Sequence, residues 1–151
     1  MEQETNEAGL IAAGISAAFS EAVALGGAAD QMLVGLAYGT TRFGLGALGP
    51  AHVAACYAVF IGVAEAEEKP QDEVPILLTE SEIPAIENLA AWTESALRNC
   101  VARGLPADLV LQAATGALMA LSNEYLGAYG PAIRWTRAQL QAIESRASRH
   151  N

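Results

Sequence analysis

Glycine and proline cut this chain into helix-length pieces, and almost nothing inside the pieces favours a strand. Gly26-Gly27, Gly49-Pro50, Pro70, Gly104 with Pro106, and Gly130-Pro131 separate stretches whose apolar residues recur every three or four positions. Glycine supplies the left-handed backbone that ends a helix, and proline is tolerated in a helix's first turn. About a fifth of the 151 residues are alanine, the strongest helix former, and runs of β-branched residues are absent. The expected fold class is all-α: one single-domain bundle of about six helices spanning 1–151.

Periodicity places those helices. The first is expected from about Ala8 to Leu25, with the stripe Ile11, Ile15, Ala18, Ala22 and Leu25, after a flexible tail over 1–7. The second runs from about Ala28 to Leu48; its Gly35 and Gly39 stand one turn apart and admit a neighbouring helix closely. The third opens at Pro50 and reaches about Glu68. A Pro-containing linker over 69–81, with the apolar stretch Val74 to Leu78, is expected to lie extended as a strap on a groove. Thr79 or Ser81 should cap the fourth helix, with Pro84 in its first turn if Ser81 is the cap, and the helix runs to about Arg103 on the stripe Ile86, Leu89, Thr93, Leu97 and Cys100. Pro106 starts the fifth helix, and Gly130-Pro131 precedes the sixth.

Shifting the chain by 78 residues reveals an internal similarity. Ala18, Val23, Ala24, Gly26, Ala29, Asp30 and Leu33 fall on Ala96, Val101, Ala102, Gly104, Ala107, Asp108 and Leu111. After a three-residue insertion, Gly49-Pro50-Ala51 falls on Gly130-Pro131-Ala132. Two three-helix halves, 8–68 and 82–147, would follow. Shared helix punctuation produces the same coincidence between unrelated alanine-rich helices, so both origins stand at this level.

In this scheme the third and sixth helices have diverged. The third carries Val53, Cys56, Tyr57, Val59, Phe60, Ile61 and Val63, apolar on nearly every side. The sixth keeps one stripe, Ile133, Leu140, Ile143 and Ala147, and carries arginines elsewhere. A helix apolar all round belongs at the centre of a bundle or in an interface between copies. Six short helices cover such an element only partly, so the chain is expected to form a homo-oligomer, most simply a dimer.

The formal charge is −9 and the isoelectric point about 4.5, which excludes nucleic-acid binding through a broad basic face. The segment Glu65 to Glu94 holds nine acidic residues against Lys69 alone, while four of the eight basic residues lie in the sixth helix. An acidic surface for a basic protein partner is one reading; solvated charge that keeps an apolar chain soluble is the other. Two cysteines and an acidic N-terminus fit a cytoplasmic protein. Phe43 to Ala64 lacks Asp, Glu, Lys and Arg and has the length of a membrane span. Gly49-Pro50 and His52 interrupt it, so membrane insertion is not expected.

No catalytic set is apparent. His52 and Cys56 share a helix face at i, i+4 spacing and are weak metal candidates, but further ligands would have to arrive from other helices. The simpler reading is a packed histidine. The chain contains no Glu-x-x-His pair, no phosphate-binding Gly-x-x-x-x-Gly-Lys loop and no Ser-His-Asp arrangement. No cofactor is expected. Tyr57, Trp92 and Trp135, with Arg42 as a lone charge in an apolar region, are the candidate walls of a small-ligand pocket, set against ordinary core packing. Two functions follow: a non-enzymatic helical interaction module, or a bundle binding an apolar ligand or metal near His52 and Cys56.

Overall fold

The computed structural model describes residues 2–67, 78–127 and 129–149, and every described regular element is helical. The six α-helices are α1 (Glu2–Ala24), α2 (Ala29–Ala47), α3 (Pro50–Glu67), α4 (Ile83–Ala102), α5 (Ala107–Leu126) and α6 (Gly130–Arg149). A 3-10 turn over Glu80–Glu82 leads into α4. α1 starts six residues ahead of its expected origin, so the chain is already helical from Glu2 where a tail over 1–7 was expected. Of the proposed strap, residues 68–77 lie outside the described residues.

α2 and α5 form the middle of the bundle, and each contacts all five other helices. α2 is buried on nearly every side, from Gln31 and Met32 through Phe43 and Gly44. The central place thus belongs to α2 with α5 and not to α3, for which the sequence left the centre and an interface between copies both open. Glycine is the reason. A Cβ at Gly35 would stand 2.8 Å from the Ile86 carbonyl oxygen, and one at Gly39 would overlap the Ala90 carbonyl. Without those side chains the α2 and α4 backbones come into direct contact, side by side and running in parallel.

The N-terminal ends of this pair are tied reciprocally. The Glu82 carboxylate accepts from the Ala28 backbone N–H at 3.3 Å, and the Gln31 side-chain oxygen accepts from the Thr79 N–H at 2.9 Å. The expected Thr79 or Ser81 side-chain cap does not form; the Thr79 carbonyl instead accepts from the Glu82 N–H, closing the 3-10 turn. Pro84 still occupies the first turn of α4.

The two halves share their first junction bond for bond. Leu25 to Glu21, Gly26 to Val23, Gly27 to Ala22 and Met32 to Ala28 recur as Arg103 to Asn99, Gly104 to Val101, Leu105 to Cys100 and Val110 to Pro106. Gly26 and Gly104 hold almost the same left-handed φ, +106° and +105°. Packing follows the same two-fold logic, with α1 on α5 answering α4 on α2, and α3 on α5 answering α6 on α2. The second junction differs. Gly49 (φ +92°) directly precedes α3, whereas Gly130 is already helical and the left-handed residue is Gly127. Tyr129, not Gly130, takes the place of Gly49, its carbonyl receiving the Ile133 N–H as Gly49 receives that of Val53.

α3 buries a single stripe, Val53, Tyr57, Ile61 and Ala64. The Tyr57 hydroxyl and Thr41 Oγ1 lie 2.7 Å apart in the core, and Thr41 donates to the Ala37 carbonyl. This ties α3 to α2. In the second half the tie is different: Ser122 Oγ accepts from the buried Ala132 N–H at 3.2 Å, satisfying the first turn of α6 from α5.

The uncharged run Phe43 to Ala64 is divided by the turn at Leu48 and Gly49, so it makes no continuous span. The described helix long and apolar enough to cross a bilayer is α1 over Asn6–Ala24, with mean hydropathy 1.3 and only 17% of the span buried.

Candidate functional site

The sequence-derived site residues are carried to different parts of the bundle. Arg42 is exposed on α2 and pairs with no acidic group among the described residues. Tyr57 is wholly buried and engaged with Thr41; burial holds its phenol far above the usual range, against the weaker opposing pull of the Thr41 hydrogen bond. It is therefore a core residue and lines no accessible pocket. Trp135, half-buried on α6, meets Tyr38 edge-on at 6.3 Å, and its Nε1 is buried without a hydrogen-bond partner.

His52 and Cys56 do meet at one place. They line a groove of about 450 Å³ between α3 and α5, with Leu48, Ala55, Val59 and Phe60 on one side and Asp108, Leu111 and Gln112 on the other. His52 is exposed on the first turn of α3. The Cys56 thiol is half-buried and points to Thr115 Oγ1 at 3.7 Å. Desolvation pushes this thiol up from its ordinary value, more than the Thr115 contact lowers it, so the thiol and not the thiolate is favoured. Among the described residues no group of three or more His, Cys, Asp or Glu comes together to hold a metal ion.

The groove opens onto an uncharged surface on α3, the helix that the sequence reads as apolar on nearly every side. Along the outer side of α3, Ala55, Ala58, Val59, Gly62 and Val63 are exposed, Val59 by 64% and Val63 by 57%. These are the apolar positions out of phase with the buried stripe. His52, Asp108 and Gln112 give the groove a polar rim.

Trp92 occupies a second groove, formed where α1 and α4 diverge. It is 45% exposed and stands with Gly14, Ala17, Ala18, Ala22, Leu25, Met32 and Leu89 around about 460 Å³. Leu25, expected in the core of α1, is 82% exposed at this rim. The buried stripe of α1 is instead Ile11, Ile15 and Phe19, and Phe19 packs edge-on against Tyr125 with ring centres 4.9 Å apart.

Electrostatic pairing uses several of the clustered acids within the chain. Glu65 pairs with Arg137 of α6, Glu94 with Arg98 one turn along α4, and Glu82 with the start of α2. Glu80 and Glu87 are exposed, and Glu68, Asp72 and Glu73 lie outside the described residues. Comparison of the chain with protein-family models, with curated proteins and with solved structures finds no match in any of the three.

Proposed function

We propose that the chain is a non-enzymatic helical interaction module that associates with a second copy of itself through the outer face of α3. The carrying observation is the contrast between α3 and α6. Both helices pack on the central pair, yet of the five exposed residues that α6 shows up to Ser145 (Ala138, Gln141, Ala142, Glu144 and Ser145) three are polar, whereas the exposed positions of α3 from Ala55 to Val63 (Ala55, Ala58, Val59, Gly62 and Val63) carry no polar side chain. The place in the fold therefore tolerates a polar outer face, and the apolar one on α3 needs another cause.

Charge favours a second copy as the occupant. A chain with a net charge of −9 repels itself over most of its surface. Between Arg42 and Glu65 no charged residue occurs, so the centre of the α3 face carries no carboxylate and only its margin, at Asp108 and Glu65, does. Small side chains at Ala55, Ala58 and Gly62 allow close helix approach, the chemistry that α2 and α4 already use at Gly35 and Gly39. The three intrachain engagements of Glu65, Glu82 and Glu94 give capture of a basic partner less support.

Equilibrium sedimentation of the full chain tests the proposal. A concentration-dependent dimer is expected, and Val59→Glu with Val63→Glu should abolish it while leaving helical content intact. A monomer at several hundred micromolar, or a dimer indifferent to both substitutions, overturns it.

A further inference from the structure

The groove between α1 and α4 has an internal reference, because the two-fold logic of the bundle supplies a counterpart at the other end of the same helix pair. Ala17, Glu21, Ala22, Leu25, Gly27 and Met32 correspond to Ser95, Asn99, Cys100, Arg103, Leu105 and Val110. At the counterpart, Cys100 and Leu105 pack against the core. At the groove, Ala22 and Gly27 stand in their places and leave the space open. Gly27 cannot easily be larger, since a Cβ there would lie 2.9 Å from the Ala22 backbone carbonyl oxygen. The cavity is thus a property of the first half and not a requirement of the fold.

Its chemistry is equally one-sided. The floor is apolar, with Met32 fully buried and Leu89 nearly so, and the Trp92 indole forms part of the wall. Two polar side chains line it, Asn88 and Glu21, and Glu21 is the sole charged one. No described residue pairs with that carboxylate. Arg103, which would have repelled a cation at the counterpart, is replaced by Leu25. A volume of about 460 Å³ falls in the range of small-molecule sites, which are mainly apolar with few polar groups that fix orientation.

From this we infer that the α1–α4 groove binds a small lipophilic amine, its apolar body on Met32, Leu89 and Trp92 and its ammonium group toward Glu21. Trp92 adds the attraction of an aromatic face for a cation. A fatty carboxylate is disfavoured by the same Glu21. The inference is independent of self-association through α3, which uses other residues.

The test is a matched series of probes with one tail and three heads: octylamine, octanol and octanoate, each below its aggregation concentration. Binding to the full chain is followed by indole fluorescence and by thermal shift. All saturable signal should require Trp92 and the open groove, so Trp92→Phe removes the fluorescence change and Ala17→Leu removes the thermal shift. Octylamine should bind about fivefold or less more tightly than octanol, as suits an exposed ion pair, with octanoate weakest. Glu21→Gln should erase the amine preference and keep octanol binding. Ala17 and Glu21 are exposed, so both variants are expected to fold, and their melting curves check it. Octanoate binding as tightly as octylamine, an amine preference that survives Glu21→Gln, or no saturable binding of any probe overturns the inference.

Discussion

The two halves of this bundle solve the same packing problem with different chemistry. In the first half, α2 reaches α4 through glycine; at the matching contact of α5 with α1, the residues corresponding to Gly35 and Gly39 are Ala113 and Ala117. α3 is tied to α2 by the Tyr57–Thr41 hydroxyl pair, whereas α6 is tied to α5 by Ser122 and a backbone N–H. The outer faces diverge most. α1 and α3, which both pack on α5, turn Leu10, Leu25, Val59 and Val63 to solvent, each more than half exposed, while α4 shows only the less exposed Ile83 and Trp92 and α6 shows Ala138, Gln141, Ala142, Glu144 and Ser145. The difference teaches that the fold constrains inner stripes strongly and outer faces weakly. An apolar outer face is therefore informative about function in a way that an apolar inner stripe is not.

The largest expected effect comes from closing the glycine contact. Gly39→Ala should destabilise the chain by about 3 kcal/mol, since the added methyl meets the Ala90 backbone carbonyl and Thr93, neither free to move. Denaturant unfolding measures it, and a loss below 1 kcal/mol would mean that α2 and α4 can separate cheaply. The two inter-helix ties come next. Ser122→Ala strands the Ala132 N–H, and Thr41→Val strands the Tyr57 hydroxyl, each at about 1–3 kcal/mol. If only one of the pair has a measurable cost, the halves are not equivalent in stability.

Alkaline titration sharpens the same contrast, because the buried phenol lies only in the first half. The folded pKa of Tyr57 is raised, so its stabilising contribution is complete below the unfolded value and declines as pH rises toward the folded one. Above about pH 10 stability should fall by up to about 1.4 kcal/mol per pH unit, and Tyr57→Phe should flatten that part of the curve. An unchanged slope in the variant would show that Tyr57 ionises freely. The smallest effect is a gain. Gly116→Ala should stabilise α5 by about 0.5–1 kcal/mol, because its Cβ would meet Phe60 at an ordinary 3.5 Å while helix propensity improves. A loss there would mean that the α3–α5 contact is as tight as α2–α4.

Much of the architecture was legible in the residues. The six helices, the glycine stop at Gly104, the Pro84 start and the α4 stripe each follow from rules that act within a few residues. Cap chemistry was less legible, because Gln31 and Glu82 make their bonds across 48 and 54 positions of sequence. The candidate site was least legible. Tyr57 and Val59 lie two positions apart in one apolar run, yet one is a sealed core residue and the other stands 64% exposed. Trp92 was named as a candidate wall of an apolar pocket, but the alanines and Gly27 that open its groove carry no sequence signal of a site.

Local sequence by itself determined that this chain is a set of alanine-rich helices, roughly where they stop, and which stripe of α4 turns inward. Those outcomes rest on backbone propensity and periodicity, which neighbours along the chain settle. Which helix occupies the centre, which apolar face stays open and where the two grooves lie were decided only in the folded bundle. Each depends on how closely two backbones approach, and at Gly35 and Gly39 that distance is fixed by atoms of Ile86, Ala90 and Thr93 about fifty residues away.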